Sequence, residues 1–236
     1  MFNARRSSSF LLILGALVLT GCHSTHGKSV PANPSAAAAE VPAPGIGRHF
    51  PRESAFSVYH NPAYGISFHY PRTYLLDESS DSENSAIAEA QQVLATDQPG
   101  AVLVVLVSIP PDAYPNTTFA GGTFQFVVNP ELSPAACHSL AAPSADALTF
   151  GSTSVQGLPL AWVQTSSAAL GTVNLNRDYA GFSNATCYEF LLQVVTGSHP
   201  EQDAGIKSAD ELKIMRQLAK IISSLQFKKT PKQQAQ

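Results

Sequence analysis

The chain has 236 residues and a net charge of −3, with 44% hydrophobic and only 13% charged residues, enough apolar side chains to bury a sizeable core in one domain with tails. Lysine and arginine are scattered apart from Lys228, Lys229 and Lys232 at the very end, so the charge pattern argues against a nucleic-acid partner.

The first segment is the most specific. Arg5 and Arg6 precede an apolar run over residues 10–19, which is too short to span a bilayer as a stable helix, and small residues then lead into a cysteine. Leu19-Thr20-Gly21-Cys22 resembles the lipobox of bacterial lipoproteins. That resemblance implies removal of residues 1–21, lipidation of Cys22 (palmitate among the acyl chains) and a membrane anchor. His23 follows where an inner-membrane retention signal would place Asp, which by the same resemblance implies the outer membrane, facing the periplasm. Loss of Arg5 and Arg6 leaves 12 basic against 17 acidic residues, a mature charge of −5. The competing reading is an ordinary secretory signal with an incidental cysteine.

Residues 22–54 carry Pro31, Pro34, Pro42, Pro44 and Pro51 and no periodic apolar pattern, the composition of a tether with a mean reach of about 30 Å. His23 and His26 lie there without further metal ligands. Strands follow. Residues 56–60 are extended, Asn61-Pro62 opens a turn, and Ile66, Phe68 and Tyr70 alternate with Ser67 and His69, which puts His69 on the wetter face. Residues 101–109 are apolar nearly throughout, the pattern of a strand covered on both faces. Phe124, Phe126 and Val128 share one face. Gly157-Leu158-Pro159 is expected to separate strands over 148–155 and 160–165, and Gly181 to Asn184 to join strands over 170–179 and 186–196. Tyr188, Phe190, Leu192 and Val194 form the dry face of the last of these.

Two helices are predicted. Ile87, Ala90 and Leu94 are helically spaced within residues 85–96. Ser208 and Glu211 form a capping box ahead of a stripe of Leu212, Met215, Leu218, Ile222 and Leu225 that must lie on the sheet. A third, short amphipathic segment spans residues 134–140. The fold class is therefore α+β: a mainly antiparallel sheet flanked by helices, in one globular domain over residues 55–228, with a disordered tail over 229–236.

The opening Tyr59-x-Asn61-x-x-Tyr64-Gly65-Ile66-Ser67-Phe68-x-Tyr70-Pro71, and a close in which a helix runs into Leu225-Gln226-Phe227, resemble PsbP-like proteins. The resemblance covers the two ends of the domain. It implies an antiparallel sheet with flanking helices and no particular chemistry.

A search for chemistry returns little. There is no Gly-x-Ser-x-Gly elbow and no His-Glu-x-x-His helix. Gly27-Lys28-Ser29 copies the end of a phosphate loop, but Cys22 stands where the first glycine belongs. Asp77, Glu78, Asp81 and Glu83 are acidic without the spacing of a calcium loop. No metal or cofactor is expected. Asn116 and Asn184 begin glycosylation sequons, which the resemblance to bacterial lipoproteins implies mean little. Cys137-His138 could be a thiol–imidazole pair, but adjacent side chains rarely face each other. With Cys22 lipidated, only Cys137 and Cys187 remain to pair, and export favours a disulfide, against the alternative of two buried free thiols. Trp162 and Tyr59, Tyr64, Phe68, Tyr70 and Tyr74 are expected in the core rather than at a ligand surface. The glycine-rich stretch over residues 110–122 is the expected place for a partner site.

The functional expectation is a non-catalytic envelope lipoprotein, anchored to the membrane by its lipid, that binds another envelope protein or supports assembly. The alternatives are a small-ligand carrier with a cavity between sheet and helix, and an enzyme with an unrecognised site.

Overall fold

The structure is a computed structural model in which residues 55–78, 86–197 and 205–227 are described. Residues 1–54, with Cys22 and the expected signal and tether, residues 228–236, and Asp81 and Glu83 of the acidic stretch lie outside them. The strands of the first half are β1 (Phe56–Asn61), β2 (Ile66–Pro71), β3 (Leu75–Glu78), β4 (Val102–Ile109) and β5 (Phe119–Asn129), with helix α1 (Ala86–Asp97) between β3 and β4. Helix α2 (Pro134–Leu140) then leads into β6 (Ala147–Val155), β7 (Leu158–Ala169), β8 (Thr172–Ser183) and β9 (Thr186–Gly197), and α3 (Glu211–Ser223) ends in β10 (Gln226–Phe227).

Seven strands form one sheet in the order β3-β4-β5-β9-β8-β7-β6, and β1-β2-β10 form a small second sheet; every pairing of these strands is antiparallel. The fold is α+β in one domain, as the patterning predicts. β6 to β9 are a meander of three tight hairpins, because Gln156-Gly157, Leu170-Gly171 and Asn184-Ala185 all take positive φ, the conformation two-residue hairpin turns demand. The structure moves three boundaries accordingly. Gly181, Phe182 and Ser183 belong to β8, so Asn184-Ala185 alone joins it to β9. Leu158 and Pro159 belong to β7, opposite Val155 and Ser154, so Gln156-Gly157 is the break. Leu170 is a turn residue, 79% exposed, rather than the start of a strand.

The main core lies between one sheet face and α3 together with the small sheet. Phe68, Phe124, Phe126, Phe190, Met215 and Leu218 fill it completely, with Phe124 and Phe126 packed against Phe190 at ring distances of 6.2 and 5.3 Å. Ser224 ties the end of α3 to β2, accepting from the His69 amide at 2.9 Å. β10 then pairs with β2, so the two ends of the domain meet.

The opposite face carries α1 and α2. Ile87 and Leu94 of α1 cover Leu103, Leu106 and Val127. A bulge between Leu103 and Val105 lets Val104 and Val105 both enter the main core, so β4 is buried on its two sides. On α2, Cys137 is bonded to Cys187 of β9 with Cα atoms 5.5 Å apart, both cysteines fully buried. No described helix is long and apolar enough to cross a membrane.

Two helix details differ from the sequence reading. Asp210, not Ser208, caps α3, its carboxylate accepting from the Lys213 amide at 2.9 Å, while Glu211 turns away to accept from the Thr196 hydroxyl. Leu212 is 53% exposed and off the stripe; Ile214 and Ile221 take its place beside Met215, Leu218, Ile222 and Leu225. A turn of 3.6 residues makes 214, 218, 221 and 225 one ridge, and 212 falls outside it.

Candidate functional site

Among the described residues, β6 is paired on one side only, with β7. It is the longest of the edge strands, nine residues against six in β1 and four in β3. Proteins blunt exposed edges with charges, proline or brevity. β3 does so with Asp77 and Glu78; β6, Ala-Leu-Thr-Phe-Gly-Ser-Thr-Ser-Val, has no charge and no proline. Leu148 and Phe150 stand on it 61% exposed. Such an edge is a template for one more strand.

The inner face of the same strand forms the lip of a cleft of about 610 Å³ between β6, β7, β8 and the second half of α3. Gly151 makes the cleft's geometry. A Cβ there would sit 2.9 Å from Cζ2 of Trp162, so the indole lies across the missing side chain. Arg177 stacks on that indole, its Cζ 5.0 Å from the ring centroid, a cation–π contact. The guanidinium is held by Gln164, whose Oε1 accepts from Nε at 3.0 Å and from Nη2. Gln164 is itself buried, and cross-strand register puts Thr149, Gln164 and Arg177 in one row. Thr153, Gln156 and Ser223 supply hydroxyl and amide groups around them.

A second groove of about 520 Å³ lies on the other flank of α3 and is lined by Phe56, His69, Pro71, Tyr74, Tyr114 and Lys220 among others. Burial raises the pKa of Tyr74 and of Tyr114, and Tyr114 donates to Gln217. Both grooves are open, and the core beneath them is filled.

On the outer face, between α1 and α2, lies a buried acid cluster. Glu189 is 1% exposed, and burial pushes its pKa up to about 7, against the lowering effect of a hydrogen bond from Gln98 Nε2 at 3.0 Å and with a smaller upward push from Asp178. Asp178 is raised to about 6 by burial. Oε1 of Glu189 and Oε1 of Gln98 have no partner.

Sequence reasoning missed both the β6 edge and this cluster. An uncharged nine-residue strand next to a glycine turn is a signal for the first. For the second, Glu189 alternates with the dry residues of β9 and so reads as solvated; it is buried because Gln98, at the end of α1, reaches across to it.

The other anticipated residues are dispersed. Tyr59 and Phe68 are core, while Tyr64, Tyr70, Tyr74 and Trp162 pack on it half-buried. Cys137 is locked in its disulfide, so it makes no thiol–imidazole pair with His138, which is exposed. Residues 110–122 do not form an open glycine-rich loop. Phe119 already belongs to β5, Tyr114 packs on it at 4.8 Å, and Asn116 and Thr118 exchange backbone hydrogen bonds with Lys207 at 3.0 and 2.8 Å. No group of three or more histidine, cysteine or acidic residues suited to a metal occurs among the described residues.

No protein-family model matches the chain, and no curated protein is detectably similar to it. Solved structures similar to it include the solution structure of cyanobacterial PsbP (CyanoP) from Synechocystis sp. PCC 6803, at 10% identity over 78% of this chain and 99% of that one, TM-score 0.41. LpqN, involved in cell envelope biogenesis of Mycobacterium tuberculosis, is similar at 12% identity over 74% and 91%, TM-score 0.41. A protein from Bacteroides thetaiotaomicron VPI-5482 is similar at 13% identity over 75% and 50%, TM-score 0.38.

Proposed function

We propose that this chain is a non-catalytic module of the bacterial cell envelope, anchored through lipid on Cys22, that holds an extended segment of another envelope protein by strand addition at β6. The carrying observation is that edge: nine uncharged, proline-free residues with Leu148 and Phe150 exposed beside an open cleft. Main-chain pairing along an edge supplies affinity, and pockets beside it supply selectivity. The anchor and its outer-membrane address rest on Leu19-Thr20-Gly21-Cys22 and His23. A carrier would need an enclosed apolar cavity, whereas Phe68, Phe124, Phe126 and Phe190 fill the space between sheet and helix.

Site-specific photo-crosslinking in intact cells tests the docking site. A photoreactive phenylalanine at position 150 is expected to trap one envelope protein, and the same group at Leu212, exposed on α3, is not. Equal capture at both positions would refute docking at β6. For the anchor, Cys22→Ser is expected to release the protein from the membrane fraction and abolish fatty-acid labelling; labelling that survives would exclude it.

A further inference from the structure

We infer that the segment docked on β6 is acidic, with one Asp or Glu side chain entering the cleft to pair with Arg177; this rests on strand addition at β6 and adds the chemistry of the partner. Arg177 is the one charged residue among those lining the cleft, and no carboxylate faces it there. Its hydrogen bonds from Nε and Nη2 go to the neutral Oε1 of Gln164, which fixes the group without cancelling its charge. Asp178, the next residue on β8, points to the opposite face, where it acts on Glu189. The guanidinium is therefore pinned along one edge by Gln164, stacked on Trp162, and left with its remaining N–H donors for a ligand. A planar fork held in place this way matches a carboxylate and loses little freedom on pairing.

The placement follows from strand geometry. A strand added to β6 runs about 4.8 Å beyond it, with every second side chain on the cleft side. Those side chains face Thr149, Gly151 and Thr153. The Trp162 indole occupies the space over Gly151, so an acidic side chain opposite Gly151 meets the edge of that ring and, beside it, the guanidinium of Arg177 stacked on it. The hydroxyls of Thr153 and Ser223 line the same space and can donate to the second carboxylate oxygen.

The experiment is selection of a displayed library of random twelve-residue peptides on the full-length protein in detergent micelles. It is repeated on Arg177→Gln, on Arg177→Lys and on the double variant Leu148→Lys/Phe150→Lys. Binders to the unaltered protein are expected to be enriched in Asp and Glu at one position. Exchange of that residue for Asn or Gln in a synthetic peptide should weaken binding about tenfold, the worth of a charge-assisted hydrogen bond. Trp162, the single tryptophan, reports the titration by its fluorescence. The acidic preference should vanish in Arg177→Gln and persist at lower affinity in Arg177→Lys, which keeps the charge without the fork. Binders with no acidic enrichment, or a preference that survives Arg177→Gln, overturn this inference and leave strand addition standing. Peptides that bind the β6 double variant as well as the unaltered protein overturn strand addition itself, and an empty selection overturns both.

Discussion

Glu189 lies where the alternation of β9 alone would put a side chain in water. Alternation along β9 puts it opposite Tyr188 and Phe190, but the end of α1 seals it, and two oxygen atoms, one on Glu189 and one on Gln98, go without partners. One proton on the carboxyl gives it a donor that can serve Gln98 as Gln98 already serves it, closing a reciprocal acid–amide pair. Because burial raises Glu189 to about 7 and Asp178 to about 6, the folded protein holds protons that the unfolded chain has released between pH 3.8 and about 7. The unfolded state then binds fewer protons, so the contribution of these two groups to stability falls as pH rises through that window. Thermal melts should accordingly show Glu189→Gln, whose amide donates without titrating, to be more stable than the parent at pH 8 and to lose less between pH 5 and pH 8. Melting curves that shift in parallel for both proteins would show that Glu189 is not buried as a charge.

At the scale of elements, patterning was most legible where one face is dry. The 3.6-residue spacing of Met215, Leu218 and Ile222 and the alternation on β9 both survive in the structure because the same core buries them. Ser208 was misread because the helix begins at Asp210, and Leu212 because it lies off the ridge of Ile214, Leu218 and Ile221, which leaves it half in water. Truncating Ile222 to Ala should cost about 2–5 kcal/mol in a denaturant titration, whereas Lys220→Ala and Leu212→Ala should stay within about 0.5 kcal/mol. Asp210→Ala should cost about 0.5–2 kcal/mol as the loss of a cap, and Ser208→Ala almost nothing. A larger loss at Leu212 than at Ile222 would mean that α3 docks by another face. The cleft was not legible in the same way. It depends on Gly151, Trp162, Gln164 and Arg177 meeting across three strands, and no periodicity within one strand announces such a meeting.

For the whole molecule, the antiparallel α+β architecture was readable from turn chemistry and strand spacing, since each tight turn forces the next strand back beside the last. Which strand ends up unpaired was not, because edge status is settled only when β9 returns to lie against β5 and leaves β6 outermost. The bond between Cys137 and Cys187 closes a loop of 50 residues that starts within α2 and contains the β6–β8 meander. The chain-entropy model assigns it at most about 4 kcal/mol. Reduction should lower the denaturation midpoint and loosen this half of the sheet first, seen as faster amide exchange in β6 and β7 than in β4 and β5. Uniform loosening would mean that the bond acts on the unfolded chain alone. The account as a whole stands on β6 receiving a strand. Hydrogen–deuterium exchange of the protein, alone and in complex with the partner trapped at position 150, measures that directly. Amides of residues 147–155 are predicted to become protected in the complex while those of α1 stay unchanged; protection that appears elsewhere and leaves β6 exchanging freely would contradict it.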